Sequence, residues 1–546
     1  MTIVSEIELE RIRKLMREAG LGEIKNGINP VTGGLMHKMY RVETTEGIFA
    51  VKHLNPEIMK RPSAKDNFAR AESLEKILEE NKLPIVPAMT IKGTKMQAID
   101  GHYYYIYHWM EGQITDWNTI SEKQCYLAGQ ILGRMHAIDA QNVQKEKPSF
   151  MPVDFSSFLD LAGDLKPELK EMLSHHLDEL SSVQTSILTA GRELPSMRVI
   201  SDGDMDPKNV MWQETTPFVI DLECLDYANP MRSVLELGIQ WAGAVTYDFS
   251  KEKLMSFFKG YLEKYDNGYR SYEDLYGFVY QNWIEWLEYN LGRAAGKEVS
   301  SEEEKQLGES ESENTLKLIH YLSEIEPQVH EMLANDLSPV CAQNFDTHDQ
   351  RLCYFEIMFE GSLEHIPDYP LPEGYRIRAV TVDEAPEKVK QDWIEIEKSA
   401  KEFETYEQGE EAWNRYYGSR TEMLPGRMFF VEDATGQRVA TATAFFDIYG
   451  RDQSGAGWLH WVAVRREEQG KGLSKPLIAA VLKRLKELGH FQVKIPTQTT
   501  TWLACKVYYD MGFRPIPKNL VSSRAGWKML EQLAGIRVFK EISINL

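Results

Sequence analysis

The chain has 546 residues, too many for one ordinary hydrophobic core and enough for about two to four domains. Hydrophobic residues make up 42% and charged residues 27%, which excludes collagen-like, disordered and disulfide-scaffold proteins. The formal net charge of −21 lies mostly before residue 341. This acidity disfavours nucleic acid as a partner and would attract a small cationic substrate, although it equally fits a solvated acidic surface.

No apolar run is long enough to cross a bilayer, and the first residues lack the apolar stretch of a signal peptide. The five cysteines are odd in number, scattered, and form no C-x-x-C pair. We therefore expect a cytoplasmic protein with no membrane partner and no cysteine-based metal site. The sequence indicates no particular oligomeric state.

Residues 1–112 predict a strand-rich lobe. Two β-rich runs surround residues 44–47, which is typical of a hairpin, and apolar residues then recur at helical spacing over 63–81. Residues 102–110 read HYYYIYHWM, a strongly aromatic strand.

Helical patterns dominate the next part of the chain, so we expect a helical lobe over 113–340. A β-rich stretch interrupts the helical pattern at 197–222. Residues 299–314 are polar and acidic, which predicts a surface loop or a frayed helix.

A turn that could contact a phosphate occurs early in the chain. Gly33 and Gly34 precede the hairpin, whose second strand ends in Lys52. Glycines let backbone amides approach a phosphate closely, and the lysine supplies positive charge, so these residues are candidate nucleotide ligands. On the following helix, Glu72 or Glu75 would be placed to pair with Lys52, although both also suit a solvated helix face.

A second cluster of candidate residues follows an apolar run. Asp204 is followed five residues later by Asn209, and a buried-looking strand then ends in Asp221. A carboxylate directed at a hydroxyl can accept its proton, and amide or carboxylate oxygens can bind Mg²⁺. A turn rich in Asp, Asn and Pro is usually only a turn, but this spacing is less often accidental.

These segments resemble the aminoglycoside phosphotransferase and choline kinase family, which has a two-lobed protein-kinase-like fold. The family pattern is approximately H-G-D-x-H-x-x-N followed by I-D-[WF]-E; here 202–209 read DGDMDPKN and 220–223 read IDLE. LGRMHAI at 132–138 is similar to the helix before the catalytic region, and HWMEG at 108–112 to the hinge. The resemblance covers about 20–335.

By matching position, the resemblance implies that Lys52 contacts the phosphates of ATP or GTP, with Glu72 as its partner. Asp204 would be the catalytic base, and Asn209 and Asp221 would hold Mg²⁺. The acceptor would bind between this loop and the helical lobe.

The sequence departs from the family pattern at Asp202 and Asp206, which stand where the family has histidines. The triphosphate would then meet extra negative charge, for which Lys208 is a plausible neutraliser. The aromatic-rich segment carrying Glu285 and Glu288 would attract an ammonium group, but it also fits an amphipathic core helix.

Near 337–350 the helical periodicity stops, and a compact α/β pattern follows. We expect a linker or lead-in over 341–371 and a second domain over 372–546. The predicted strands lie at 374–380, 428–433, 438–449, 458–464 and 491–496, and the predicted helices at 384–399, 472–488 and 501–511.

In this second domain an apolar strand runs into a glycine loop and then a helix that begins near Leu473. Exposed amides at a helix start suit a pyrophosphate. The loop resembles the Q/R-x-x-G-x-G/A signature of the GNAT acetyltransferases, which bind acetyl-CoA, and the strand resembles the one that pairs with the pantetheine arm. The acetyl-CoA-binding residues that this resemblance implies are Val462, Val464, Gln469, Gly470, Lys471, Gly472, Leu473 and Ser474.

Residues 504–513 are similar to the A-x-x-x-Y-x-x-x-G-F segment of the same family. By this match Tyr508 would protonate the departing CoA thiolate, with Tyr509 as the adjacent alternative. His460 is a candidate for the base that takes the proton of the acceptor amine, but a strand histidine is more often part of a core. Cys505 fits an ordinary buried thiol.

The sequence thus predicts an α+β and α/β multidomain protein, a kinase-like phosphotransferase fused to a GNAT acetyltransferase domain. Its expected ligands are Mg²⁺, ATP or GTP, acetyl-CoA and small-molecule acceptors, with cationic amino sugars among them. Antibiotic modification and a metabolic role both fit. The alternative is an acetyltransferase whose kinase-like domain binds a nucleotide or ligand without catalysis and regulates the other domain.

Overall fold

The computed structural model describes residues 5–31, 37–141, 150–160, 165–297, 299 and 301–539. The chain forms two compact units, the first comprising Met1–Asp266 and Tyr272–Leu337 and the second Asn267–Ser271 and Ser338–Leu546. No helix in the described ranges is both long enough and apolar enough to span a bilayer.

The first unit contains most of the helices. They are α1 (Glu6–Glu18), α2 (Pro56–Met59), α3 (Ala64–Glu80), α4 (Glu122–His136), α5 (Ser156–Asp160), α6 (Pro167–Glu193), α7 (Pro230–Trp241), α8 (Lys251–Leu262), α9 (Gly277–Ala294) and α10 (Glu302–Asn335). Its strands are β1 (Ile24–Val31), β2 (Lys38–Thr44), β3 (Ile48–His53), β4 (Gln97–Ile99), β5 (His102–His108), β6 (Gln113–Ile114), β7 (Ala140–Gln141), β8 (Arg198–Asp202), β9 (Val210–Gln213), β10 (Thr216–Val219) and β11 (Leu225–Ala228).

An antiparallel sheet in the order β1-β2-β3-β5-β4 forms the strand-rich lobe. The predicted hairpin is confirmed, because the backbone N–H of Thr44 donates to the carbonyl of Gly47 at 2.8 Å. The helix predicted over 63–81 and the aromatic strand over 102–110 are confirmed as α3 and β5. Lys52 is the last residue but one of β3, where it is buried and pairs with Tyr105 of β5.

Close contact between α4 and α8 organises the helical lobe. A Cβ added at Gly129 would collide with the carbonyl oxygen of Phe257, and one added at Gly260 would collide with that of Tyr126. Glycine is therefore required at both positions, because it lets the two backbones touch where the helices cross.

This helix crossing also anchors the loop that follows β8. The His136 ring lies between the Tyr261 hydroxyl, 2.8 Å from Nδ1, and the Ser201 hydroxyl, 3.1 Å from Nε2. Burial lowers the pKa of His136 to about 3, so the ring is neutral and its two nitrogens serve these two hydroxyls. The contact holds the end of β8 against α4.

The prediction of a loop or frayed helix over 299–314 is wrong, because α10 begins at Glu302. The Ser301 side chain accepts a hydrogen bond from the Glu304 N–H at 3.2 Å, and three glutamates in the first turn complement the helix dipole. Gly308 and Ser312 are buried here, so small residues rather than apolar ones form the packed face. Because small residues form this packed face, the sequence shows no hydrophobic periodicity there, and the helix was not predicted.

A seven-stranded sheet in the order β13-β14-β15-β16-β17-β12-β18 dominates the second unit. Its strands are β12 (Glu356–Ser362), β13 (Arg376–Ala379), β14 (Met428–Glu432), β15 (Arg438–Phe445), β16 (Gly457–Val464), β17 (Gln492–Gln498) and β18 (Arg514–Pro515). Its helices are α11 (Pro386–Ser399), α12 (Tyr406–Trp413), α13 (Ser474–Glu487), α14 (Trp502–Asp510), α15 (Pro517–Ser522) and α16 (Arg524–Ala534).

Neighbouring residues of each strand face opposite sides of this sheet. Phe430 belongs to the apolar cluster that includes Trp393 of α11 and Trp413 of α12. Val431 belongs to the other cluster, which includes Leu477 of α13 and Trp527 of α16. The sheet is therefore covered by helices on both sides.

Residues 341–371 are not the linker that the sequence predicts. They contain β12, which pairs along its whole length with β17 and also pairs with β18. The strand was missed because its partners lie more than a hundred residues later in the chain, where local patterns carry no signal of the pairing.

Candidate active sites

The loop after β8 brings two of the predicted catalytic residues together. Residues 203–206 form a turn, Pro207–Asn209 form one turn of 3₁₀ helix, and β9 begins directly afterwards. The Asn209 Nδ2 donates to the Asp204 carbonyl at 2.8 Å and to Asp204 Oδ2 at 2.9 Å. The Asp204 carboxylate is thus fixed in place, and the Asn209 Oδ1 is left available to a ligand.

The hairpin of β9 and β10 brings the third predicted residue, Asp221, next to the loop that carries Asp204 and Asn209. The Ile220 N–H donates to the Asn209 carbonyl at 2.9 Å, which sets the start of the second loop. Asp221 itself has a φ of +61°, a left-handed conformation that costs a non-glycine residue free energy and that occurs most often at functional sites.

Lys52 lies directly against this second loop. Its Nζ is 2.7 Å from Asp221 Oδ1 and 2.8 Å from Glu223 Oε1, and the side chain is buried. Burial alone would lower the pKa of Lys52, but the charges of Glu223 and Asp221 outweigh it and raise the pKa. The ammonium group therefore remains charged beside a candidate metal ligand.

The predicted pairing of Lys52 with Glu72 is wrong. The Glu72 Oε1 instead accepts from the Tyr105 hydroxyl at 2.8 Å and from the Met96 N–H at 3.2 Å. Glu223 takes the position at the lysine, because its loop follows Asp221 directly and approaches the end of β3.

Three further residues were predicted for this site or for pairing with Lys52. Gly33 and Gly34, the predicted phosphate-binding turn, lie outside the described residues. Glu75 is buried and pairs with Lys95 at 3.0 Å rather than with Lys52.

Asp202, where the family has a histidine, is fully buried. Its Oδ1 accepts from the Asp204 N–H at 3.0 Å, and its buried Oδ2 has no hydrogen-bond partner among the described residues. Burial raises the pKa of Asp202 well above its usual range, which favours the protonated, uncharged form of the carboxyl group.

Asp206, the second departure, is held by Lys208. The Lys208 Nζ lies 2.9 Å from Asp206 Oδ2 and 3.2 Å from Asp204 Oδ1. Burial raises the pKa of Asp206 to about 6, against the opposing charge of Lys208. The loop therefore carries less negative charge than its sequence suggests, and Lys208 is the neutralising group.

A small depression in the helical lobe lies against α7 and α9. Glu285 and Glu288 are both exposed, and the depression is instead lined by Glu236, Gln240, Asn282, Trp283 and neighbouring apolar side chains. Arg232 Nε donates to Glu236 Oε1 at 2.8 Å, and burial raises the pKa of Glu236. The sequence analysis missed Glu236, since only the packing of two helices buries it.

The same helix α7 also touches the catalytic loop. The indole N–H of Trp241, the residue after Gln240, donates to the Met205 carbonyl at 2.9 Å. This contact connects the depression in the helical lobe with the loop that carries Asp204.

The sheet of the second unit opens beside the glycine loop. Strands β16 and β17 are parallel and pair only at Gly457–Val493 and Trp458–Lys494. Beyond these two pairs no ladder joins them within the described sheet, so the part of β16 that contains Val462 and Val464 has no partner strand in β17. A register shift against β15 and a φ of +50° at Trp461 mark a β-bulge that bends β16 at this point.

The loop that follows β16 has the geometry of an anion site. Gly470 and Gly472 have φ of +79° and +82°, and α13 begins at Ser474, with Leu473 as its N-cap, without a side-chain cap. Among the recorded hydrogen bonds of the described residues, the N–H groups of Gly470 to Ser474 have no protein acceptor. These amides are therefore available to a pyrophosphate.

The side chains of Gln469 and Lys471 make contacts at the start and rim of this loop. The Gln469 Nε2 donates to the Val464 carbonyl at 3.1 Å, which ties the loop to the strand. The Lys471 Nζ lies 2.8 Å from Glu468 Oε1, at the rim of the loop.

Both predicted catalytic residues of the second unit are buried. Tyr508 packs against Phe359 in the core, and burial together with the charges of Cys505 and Glu397 raises the pKa of its hydroxyl. The hydroxyl therefore stays protonated and can donate its proton.

His460 lies on β16 among aromatic rings, with Tyr416 at 5.8 Å and Trp458 at 5.7 Å between ring centroids. Its Nε2 is buried without a partner among the described residues. Burial lowers the pKa of His460 to about 4, so the ring is neutral but weakly basic at pH 7.

Sequence analysis did not single out two glutamates of this unit, the buried Glu397 and the partly buried Glu402. Burial raises the pKa of Glu397, whose Oε1 has no partner in the described structure, and also that of Glu402. The Glu402 Oε2 lies 3.7 Å from His348 Nε2, and Gln498 Nε2 donates to Glu402 at 3.4 Å. A carboxylate with a raised pKa is better matched than His460 to removing a proton near neutral pH.

Comparison with known families gives two matches. Residues 27–275 match the model of the phosphotransferase enzyme family, and residues 391–513 match that of the acetyltransferase (GNAT) family. No curated protein searched matches the sequence.

Three of the similar solved structures are transferases or kinases. A spectinomycin phosphotransferase in complex with ADP and spectinomycin is 13% identical, with 60% of this chain and 99% of that chain covered and a TM-score of 0.42. An ethanolamine kinase from Plasmodium vivax is 17% identical, with 54% and 83% covered and a TM-score of 0.38. An aminoglycoside phosphotransferase from Alicyclobacillus acidocaldarius is 13% identical, with 56% and 93% covered and a TM-score of 0.37.

The neutral state of Asp202 predicts a distinctive pH dependence of stability. Because its folded pKa is raised, its contribution to stability is present below about pH 4 and is lost as the pH rises toward the folded pKa. Asp202→Asn can keep the hydrogen bond from the Asp204 N–H but cannot ionise. Urea denaturation should therefore show the variant gaining at least about 1 kcal/mol over the wild type between pH 4.5 and pH 7.5.

Asp226→Asn, at an exposed aspartate of the neighbouring strand β11, is the matched control and should not reproduce this gain. A constant difference between Asp202→Asn and the wild type at both pH values would show that Asp202 is ionised in the folded protein.

Proposed function

We propose, for a chain that joins a domain of the phosphotransferase enzyme family to a GNAT-family domain, that it is a bifunctional transferase of small molecules. The first unit would move the γ-phosphoryl group of ATP or GTP to a hydroxyl. The second would move the acetyl group of acetyl-CoA to an amine. The acceptors we propose are small polar molecules bearing amines, and cationic amino sugars are one such class.

The observation that carries the phosphoryl half is that two adjoining loops bring Asp204, Asn209 and Asp221 together, with Lys52 of β3 in contact with Asp221. Lys52 remains charged and would bind the phosphates, and the fixed carboxylate of Asp204 would accept the proton of the acceptor hydroxyl. The Asn209 Oδ1 and the Asp221 carboxylate are oxygen donors of the kind that Mg²⁺ prefers. When bound, Mg²⁺ would neutralise phosphate charge.

The observation that carries the acetyl half is the open edge of β16 beside the free amides of the glycine loop. The pantetheine arm would pair with the edge at Val462 and Val464, and the pyrophosphate would bind the amides from Gly470 onward. The acceptor amine would attack the thioester carbonyl, the C–S bond would break, and Tyr508 would give its proton to the thiolate. His460 or Glu402 would take the amine proton.

One observation favours the alternative function, in which the kinase-like unit binds a ligand without catalysis. Both Asp204 oxygens are already engaged, Oδ1 by Lys208 and Oδ2 by Asn209. If Lys208 stayed in place with nucleotide bound, the carboxylate would be a weak base and the unit would serve as a regulatory module.

The two functions predict different effects of Asp204→Asn on phosphoryl transfer. We expect this variant to lower acceptor-dependent phosphoryl transfer from Mg-ATP or Mg-GTP by at least about 10²-fold, since removal of a general base typically has this effect. The assay measures ADP or GDP release with a panel of aminoglycosides and amino alcohols. Asp206→Asn, on the same loop, is the matched control and should retain most of the activity.

Equal activity of Asp204→Asn and the wild type would contradict the role of Asp204 as base. Binding of nucleotide without any acceptor-dependent release in the wild type would favour the regulatory module.

The acetyl-CoA site is tested with two glycines of the same backbone conformation. Gly470 has a φ of +79° and Gly489, just beyond α13, has a φ of +93°, and neither has an atom near an added Cβ. Alanine costs about 1–2 kcal/mol in this conformation. Gly470→Ala should distort the loop and weaken acetyl-CoA binding about tenfold in calorimetry.

Gly489→Ala carries the same strain away from the loop and should bind acetyl-CoA like the wild type. Equal dissociation constants for the wild type and Gly470→Ala would contradict the proposed pyrophosphate site.

A further inference from the structure

Two long helices of the first unit bring a set of metal-ligand side chains together far from the catalytic loops in sequence. His176 and Glu179 lie one turn apart on α6, and His320 lies opposite them on α10. One potential ligand atom from each residue lies within 4.8 Å of the other two. We propose that these three residues bind one Zn²⁺ ion that joins α6 to α10.

The distances are close to those of a zinc site. The His320 Nδ1 is 3.0 Å from Glu179 Oε1, and the His176 Nε2 is 4.0 Å from Glu179 Oε2. Donor atoms around a tetrahedral zinc are about 3.3 Å apart, because the Zn–N and Zn–O bonds are about 2.0–2.2 Å long. Small side-chain rotations would therefore bring all three ligands to one ion.

The state of the His176 ring favours metal binding. Its Nδ1 is 2.7 Å from the Met172 carbonyl, which can only accept, so Nδ1 carries the proton. In the neutral ring the Nε2 then has a free lone pair, and it is the Nε2 that faces Glu179. A backbone carbonyl that orients the ring in this way is the usual outer support of a metal-binding histidine.

His320 has a comparable support on its other side. Its Nε2 lies 3.7 Å from the Oε1 of Glu324, one turn further along α10. When Nδ1 binds the metal, Nε2–H can donate to this carboxylate, which forms the carboxylate–histidine–metal arrangement. The site thus has two oriented imidazoles and one carboxylate as its ligands.

The donor atoms of this site indicate which metal ion it would bind. Two imidazole nitrogens and one carboxylate suit Zn²⁺, whereas Mg²⁺ and Ca²⁺ prefer sites made of oxygen. His176 and Glu179 are partly buried and His320 is exposed, so the fourth position is open to water. Because the ligands come from helices more than a hundred residues apart in sequence, a bound ion would stabilise the helical lobe.

The proposal is tested by zinc calorimetry on the untagged full-length protein in a buffer that contains Mg²⁺ to occupy oxygen-only sites. The wild type should bind one Zn²⁺ per chain, and both His320→Gln and Glu179→Gln should weaken this binding at least tenfold. Bound Co²⁺ should give the visible absorption of a four-coordinate site in the wild type and lose it in His320→Gln.

Two matched controls separate this site from other acidic groups. His330→Gln removes a histidine of α10 that also pairs with a glutamate one turn away, Glu326 at 3.3 Å, but has no second histidine ligand. Asp221→Asn alters the loop after β10, which carries a proposed Mg²⁺ ligand of the nucleotide site. Both should bind Zn²⁺ like the wild type, whatever the outcome for phosphoryl transfer.

Circular dichroism of the metal-free variants should show unchanged helix content, and Zn²⁺ should raise the melting temperature of the wild type but not that of His320→Gln. Zinc binding of equal strength in the wild type, His320→Gln and Glu179→Gln would overturn the proposal. Absence of zinc binding by the wild type at micromolar concentrations would overturn it as well.

Discussion

The first unit depends on the balance of charge where its two catalytic loops meet. Lys52, held by Asp221 and Glu223, is a buried ammonium group supplied by the strand-rich lobe. Lys208 neutralises part of the loop that follows β8, and burial raises the pKa of Asp202, which favours its uncharged form. A polyphosphate would otherwise be repelled from such an acidic site. The glycine crossing of α4 and α8, acting through His136 and Ser201, holds the loop that carries these groups in place.

In the second unit, the site that we propose for acetyl-CoA is formed mainly by backbone groups. The separation of β16 from β17 leaves a strand edge free, and the uncapped start of α13 leaves amides free at the end of the same strand. In an ordinary sheet an open edge of this kind would invite non-specific strand pairing. Here the bulge at Trp461 bends the strand, and helices cover both faces of the sheet. Extended and anionic parts of one ligand can therefore bind side by side.

Local spacing was sufficient to identify the elements that carry both sites. The D-x-x-x-x-N turn, the strand-end Asp221 and the glycine loop each depend on neighbours within about a dozen residues, which the sequence displays directly. Features that depend on distant contacts were not predictable. The partner of Lys52 was assigned to Glu72 instead of Glu223, and β12 was taken for linker, because each pairing is decided by tertiary packing. The neutral state of Asp202 depends on burial, which a list of charges does not reveal.

We expect the Asn209 Oδ1 and the Asp221 carboxylate to bind a divalent cation, which in turn allows a nucleotide to bind. The most direct test is calorimetry of ATP binding with and without Mg²⁺, in the wild type and in Asp221→Asn. The account predicts that Mg²⁺ strengthens ATP binding at least tenfold in the wild type and much less in the variant, which should bind metal-free ATP better than the wild type does. An equal effect of Mg²⁺ on both proteins would contradict it.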